Sequence, residues 1–219
     1  MSRVKYPRTF HVPWSPGATS DDKVHGDVAS MFEEHCVVVT EKMDGENTTI
    51  YSDGYCHARS MDSAHHPSRS WVKANIAPRM VGNLPPGWRV CGENMYAKHS
   101  LFYDRLPSYF LVFSIWDTDN TCLSWEDTEI WCKLLGLETV PVLYKGFWDE
   151  DKIRGLWTGK SAYGEEGEGY TIRRCSKFSS REFKNSLAKY VRENHVTTNT
   201  HWMSHKVVEN KLCLRREKD

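Results

Sequence analysis

Short apolar runs alternate with turn-forming clusters along most of this chain. Val37–Thr40 and Thr48–Ser52 read as strands on either side of Asp44-Gly45, a strong turn signal, so a strand carrying Lys42 should end in a turn. Asp53-Gly54 is a second such signal, followed by strand-like Tyr55–Arg59. Further strands are expected at Trp88–Gly92, Tyr109–Trp116, Val140–Tyr144, Tyr170–Arg174 and Leu187–Val191. Helical patterns are fewer. A short helix fits Asp27–Glu34, another fits 71–80 before Pro85-Pro86-Gly87, and a third fits Lys152–Ser161. Ser124-Trp125-Glu126-Asp127 has the pattern of a capping box. The helix it opens should bury Trp131, Leu134 and Leu135 and stop at Gly136. Residues 1–26 read as an irregular leader, and 61–70, with His65-His66-Pro67-Ser68, as a loop. Many short strands with few helices imply an α+β fold dominated by antiparallel sheet.

A length of 219 residues suggests one domain, or one with a short appendage. The 29 basic and 29 acidic side chains cancel, so any nucleic-acid contact needs charge concentrated in a groove. Nine Trp and ten Tyr suit a β-rich core and also base stacking. The seven cysteines are scattered without a C-x-x-C, which argues against a disulfide framework or a zinc knuckle. No secretory signal and no membrane-length apolar run is visible. The expectation is a soluble protein of a reducing cytoplasm, without membrane association.

Lys42 alone could be a surface lysine before a hairpin. Other segments place charged or aromatic groups at strand ends in the same way: Cys91-Gly92-Glu93-Asn94, Tyr109 to Asp117, Glu166-Gly167-Glu168-Gly169-Tyr170-Thr171-Ile172-Arg173, Ser186 to Arg192, and His57-Ala58-Arg59-Ser60. In order and type these segments resemble the covalent nucleotidyltransferase superfamily of polynucleotide ligases and mRNA capping enzymes. The chain is most similar to the RNA ligase 2-like phage RNA ligases, over about Lys5 to Lys206. The resemblance implies an antiparallel-sheet, ATP-grasp-like adenylation domain over 1–206, a basic tail over 207–219, and no OB domain.

It further implies that Lys42 attacks the α-phosphate of ATP to form a lysyl-AMP. Glu41 would read the adenine edge, Asn47 would sit near the phosphates, and Arg59 would meet the ribose or an acceptor 5′-phosphate. Glu93 would hold ribose hydroxyls or a metal-bound water, and Phe113 would stack on adenine. Phe110, Phe113 and Ile115 could equally alternate into the core. Glu168, with Glu165 and Glu166 as competitors, would hold Mg2+ or Mn2+. Lys189 would contact the α-phosphate, and Arg192 the pyrophosphate or the acceptor. Here K-x-x-R replaces the usual K-x-K. Lys189 and a bound metal are expected to favour the neutral amine of Lys42.

The partners implied are RNA or DNA ends or nicks, met by a monomer. Rival readings are a nucleotidyltransferase that adenylylates ends or proteins without sealing, and a non-catalytic nucleic-acid-binding module. His195, His201 and His205 read as solvated. Lys211, Arg215, Arg216 and Lys218 could touch phosphates or simply be solvated. Tyr6-Pro7-Arg8-Thr9 and Trp14-Ser15-Pro16-Gly17 resemble the leader of phage relatives and carry no chemical assignment.

Overall fold

The computed structural model describes residues 3–61, 66–194 and 207–213. His65, His195, His201, His205, Arg215, Arg216 and Lys218 therefore lie outside the described residues. In chain order the first elements are α1 (Ala29–Phe32), β1 (Cys36–Lys42), β2 (Glu46–Tyr51), β3 (Cys56–Ala58), α2 (Ser70–Asn75) and α3 (Ala77–Met80). Next come β4 (Arg89–Asn94), β5 (Phe110–Trp116), β6 (Thr121–Cys122), α4 (Trp125–Leu135), β7 (Glu138–Thr139) and β8 (Val142–Phe147). The last are α5 (Glu150–Gly155), β9 (Gly169–Arg174), β10 (Phe178–Ser179) and β11 (Leu187–Val191).

The strands form two sheets. One runs β11-β9-β1-β8, the other β10-β6-β5-β4-β2-β3 with β7 beside β5. Pairing is antiparallel except between β5 and β7. The expected α+β, sheet-dominated fold is the one found.

Lys42 ends its strand as expected, but Asp44-Gly45 does not close a hairpin. β1 and β2 belong to different sheets, and the chain crosses between them here. Gly45 is required by close approach. A Cβ there would sit 2.6 Å from the Met95 sulfur and 2.9 Å from the Asn94 carbonyl. Asp53-Gly54 does close the β2–β3 hairpin, with Gly54 at φ +80.

Strand alternation sends side chains to opposite faces, which sorts the core into layers. Val37, Val39, Tyr170, Ile172 and Ala188 pack outward against Val12, Val28, Phe32 and Ile153. In the second sheet Ile50, Val90, Phe110 and Ile115 pack outward against α2, α3 and α4. The inner faces meet through Val38, Met43, Met95, Leu111 and Trp125 at one end, and through Tyr6, Cys91, Trp116 and Phe183 at the other. Arg173, 3% exposed, ties the sheets together. Its guanidinium donates to the Phe113 carbonyl at 3.3 Å and the Leu123 carbonyl at 2.7 Å.

Several elements differ from expectation. The 71–80 helix is two helices, because Pro78 lacks an N–H to continue the first one. The 152–161 helix is α5 instead, opened earlier by Asp149, whose carboxylate accepts from the Lys152 N–H at 3.0 Å. The 61–70 loop contains a 3-10 turn at Pro67–Arg69. Residues 207–213 are no loose tail. Asn210 is 1% exposed, and its amide donates to the Met95 carbonyl at 2.8 Å. Among the described residues the seven cysteines form no disulfide.

α4 is capped by Ser124, which accepts from the Asp127 N–H at 3.0 Å, and stops at Gly136 with φ +64. Its buried stripe is Trp125, Thr128, Cys132 and Leu135, the i, i+3, i+7 series. Leu134 lies off that stripe and is 70% exposed, contrary to expectation. Leu135→Ala should therefore cost about 2–5 kcal/mol. Leu134→Ala should change stability by no more than about 0.5 kcal/mol. Urea unfolding of both variants checks this, and equal losses would contradict the assigned face.

Candidate active site

A cleft of about 310 Å³ opens between the two inner faces, at the small end of the roughly 300–1,000 Å³ typical of ligand pockets. Of the residues singled out by sequence, Glu41, Lys42, Asn47, Arg59, Glu93, Phe113 and Lys189 line it. β1, β9 and β11 bring Lys42, Thr171 and Lys189 to one wall, and β2, β4 and β5 bring Asn47, Glu93 and Phe113 to the other.

Glu168 adjoins the cleft through Lys42, whose Nζ donates to Glu168 Oε2 at 2.6 Å. Register explains the contact. Lys42 stands opposite Gly169 on β9, one residue from Glu168. Arg192 does not line the cleft. It pairs with Glu166 at 3.3 Å, and its backbone N–H donates to the Glu168 carbonyl at 2.9 Å. Glu166 is thus occupied elsewhere, and Glu168 is the carboxylate beside the lysine. Asp44 locks the turn after Lys42: its carboxylate accepts from the Ser100 and Leu101 N–H groups, each at 2.8 Å, and its own N–H donates to the Tyr103 hydroxyl at 2.9 Å.

A bulge separates Phe113 from Ile115. Cys91 pairs with Ser114 and Gly92 with Val112, leaving Phe113 as the extra residue of β5. A bulge lets two successive residues face the same way. Phe113 and Ser114 both line the cleft, while Phe110 and Ile115 enter the core. Tyr6 buttresses the Phe113 ring edge-on at a centroid distance of 5.1 Å. The sequence pointed to neither Tyr6, Asp22 nor Arg173 as cleft residues, yet all three line it.

The sequence profile of the RNA ligase family matches residues 36–191, more than half of the chain. The chain belongs to the RNA ligase family. A comparison with curated proteins gives no match. Among solved structures, the fold is similar to a Naegleria gruberi RNA ligase with pyrophosphate. The two share 18% identity at a TM-score of 0.59, over 75% of this chain and 51% of that one. A variant of that enzyme with ATP and manganese gives 15% identity and a TM-score of 0.57, over 75% and 52%. A putative ATP-dependent DNA ligase from Aquifex aeolicus gives 19% identity and a TM-score of 0.52, over 86% and 50%. At these identities the likeness concerns the fold, and the chain spans about half the length of these structures.

In this family member the charges of the cleft are set by burial and by each other. Burial alone would lower the pKa of Lys42. The carboxylates of Glu168, Glu93 and Asp44 outweigh it and hold the ammonium above the usual lysine range. The expected bias toward a neutral amine is therefore reversed in the protein alone, because three carboxylates surround the lysine. Burial raises Glu168, and Lys42 offsets part of the rise. Burial, then the charge of Lys42, lowers Lys189, while Asp22 and Glu168 hold it up.

Three carboxylate or amide oxygens on the walls are buried without a hydrogen-bond partner: Glu41 Oε1, Asn47 Oδ1 and Glu93 Oε2. Unpaired buried acceptors of this kind suit a ligand that brings donors or a cation. Among the described residues no group of three or more His, Cys, Asp or Glu could hold a metal alone. That fits an ion held by one or two carboxylates together with substrate phosphates, the usual arrangement for Mg2+. Glu168 and Glu93 are the residues present for it.

Burial, only partly countered by Lys42, pushes Glu93 up to about 8. The folded state thus holds this proton more tightly than the unfolded chain, where the carboxyl titrates near 4.5. The stabilisation is complete below that value and is lost as pH rises through about 8. Glu93→Gln should gain on the wild type between pH 5 and 8, by at most about 1.4 kcal/mol per unit of pKa difference. Glu93 is reachable from the cleft, so screening keeps the gain well below that ceiling. Urea midpoints measured across the pH series test this. A pH-independent difference would refute it.

Proposed function

We propose that this chain is an ATP-dependent polynucleotide ligase that joins RNA 3′-hydroxyl and 5′-phosphate ends through a lysyl-AMP intermediate. Membership of the RNA ligase family supports ligase chemistry. The observation that carries the finer reading is Lys42 at the junction of the two sheets, with Glu168 at 2.6 Å and Lys189, Glu93 and Phe113 around the same cleft.

In this reading the adenine lies against Phe113, with the Glu41 carboxylate toward its amino edge. Glu41 is 3% exposed and held by the Ala162 N–H at 2.9 Å, which fixes its direction. Lys42 Nζ bonds to the α-phosphorus of ATP as the bond to the pyrophosphate oxygen breaks. Before it attacks, the amine must give up a proton, and Glu168 Oε2 stands within hydrogen-bond reach to take it. Lys189 faces the phosphates and stabilises charge there. A divalent ion at Glu168 and Glu93 would supply further neutralisation of phosphate charge.

AMP then passes from Lys42 to the 5′-phosphate of a strand held near Arg59, giving a pyrophosphate-linked adenylate. Attack by a 3′-hydroxyl forms the phosphodiester and releases AMP. Positioning and charge stabilisation account for most of the rate. Seven cysteines without a disulfide suit the proposed setting, a reducing cytoplasm.

Incubation with α-labelled ATP and magnesium should give an acid-labile label on the wild type and none on Lys42→Ala. Label retained by Lys42→Ala would sink the lysyl-AMP reading. Labelled enzyme that then seals neither nicked nor single-stranded RNA would sink the ligase reading. Phe113→Ala should raise the KM for ATP by a factor corresponding to about 1–3 kcal/mol of lost stacking, measured well below the variant's own melting temperature. An unchanged KM would remove the ring from the site.

A further inference from the structure

The leader contributes Tyr6, Arg8, Thr9 and Asp22 to the cleft wall. Its backbone also extends the first sheet beyond β11. His11 bridges to Lys189 on one side and to Val24 on the other. The Lys189 N–H donates to the Phe10 carbonyl at 2.9 Å, and the Val12 N–H donates to the Lys189 carbonyl at 2.8 Å. The backbone of Lys189 is therefore clamped by the leader on its outer side and by β9 on its inner side.

The side chains repeat the clamp. Asp22 Oδ1 lies 3.9 Å from Lys189 Nζ and 3.4 Å from His11 Nε2. Its other oxygen, Oδ2, accepts from the Thr19 N–H at 3.1 Å and the Thr19 hydroxyl at 3.0 Å. His11 is 1% exposed, and its Nδ1 lies 2.8 Å from the Ser15 hydroxyl oxygen. The carboxylate is thus fixed from three sides, with one oxygen turned toward the lysine.

An anionic group on the wall of a cleft that receives polyphosphate opposes ground-state binding. Its presence there needs a compensating role. We propose that Asp22 is a positioning residue for Lys189. Held by Thr19 and His11, it keeps the Lys189 ammonium charged and directed into the cleft against the repulsion of Lys42. This rests on the reading of Lys189 as the phosphate-facing cation. Lys42 and Arg59 push Lys189 toward the neutral amine, as burial does, and Asp22 and Glu168 oppose them.

The signature is specific. In this reading Asp22 touches no phosphate itself, so its removal acts only through the charge and aim of Lys189. Single-turnover adenylylation by Asp22→Asn at saturating ATP should slow about five- to tenfold. In a Lys189→Ala background, Asp22→Asn should cost nothing further, because the residue it positions is gone. A second measurement uses no ATP. Acylation by a water-soluble amine reagent, followed by peptide mass mapping, should modify Lys189 several times faster in Asp22→Asn than in wild type. Asp22→Glu, which keeps the charge, should leave that rate near wild type.

A loss of adenylylation that persists undiminished in the Lys189→Ala background, or Lys189 reactivity unchanged by Asp22→Asn, would overturn the proposal. A wild-type protein that takes no label from ATP would defeat the ligase reading instead. The acylation measurement would still decide whether Asp22 governs Lys189.

Discussion

The contact between Lys42 and Glu168 holds together the electrostatics of the whole cleft. One partner ends β1 and the other immediately precedes β9, so the ion pair forms only when those strands take the register that sets Lys42 opposite Gly169. Both groups are largely buried, with side-chain exposures of 25% and 9%. A buried charge that loses its partner costs several kcal/mol, so the pair ties correct sheet register to a stable site. It also means that the protein alone holds Lys42 as an ammonium.

Around that pair the two sheets divide the work. The first sheet supplies the cations Lys42 and Lys189, while the second supplies Glu93, Asn47 and the aromatic face of Phe113. Arg173 joins them by donating from β9 to the carbonyls of Phe113 and Leu123. It thereby fixes the backbone of the ring-bearing strand relative to the sheet that carries Lys42. Such bridging favours a site whose width is set by hydrogen bonds, not by loops alone.

Two peripheral segments complete the frame. The leader makes a parallel bridge beside β11 at His11 and brings Tyr6 behind Phe113 and Asp22 beside Lys189. Residues 207–213 pin the 96–106 region through Asn210, which accepts from the Tyr103 N–H at 2.9 Å. The Tyr103 hydroxyl in turn receives the Asp44 N–H, two residues beyond Lys42. Segments that look irregular in sequence thus buttress both ends of the cleft.

The strands were legible because alternation and turn residues are local. Lys42, Glu93 and Glu168 were legible because charged groups at strand ends stand out against apolar runs, and their order along the chain matched one family. What stayed illegible depended on pairing at a distance. Asp44-Gly45 signals a turn whether it closes a hairpin or crosses between sheets, and only the partners of β1 and β2 distinguish these. The exposed position of Leu134 depends on which neighbours cover α4.

By itself the sequence determined the strand-rich architecture, the segment that carries Lys42 and most of the residues that gather round it. Tertiary structure alone decided that Phe113 faces the cleft while Ile115 enters the core behind the sheet, because a one-residue bulge against β4 reverses the parity of β5 between them. It alone decided that Lys42 is held charged, since Glu93 and Glu168, distant along the chain, converge on it beside Asp44. It alone brought Asp22 to Lys189. Each of these is a contact between distant residues, fixed by sheet register and closure and by no local preference of the chain.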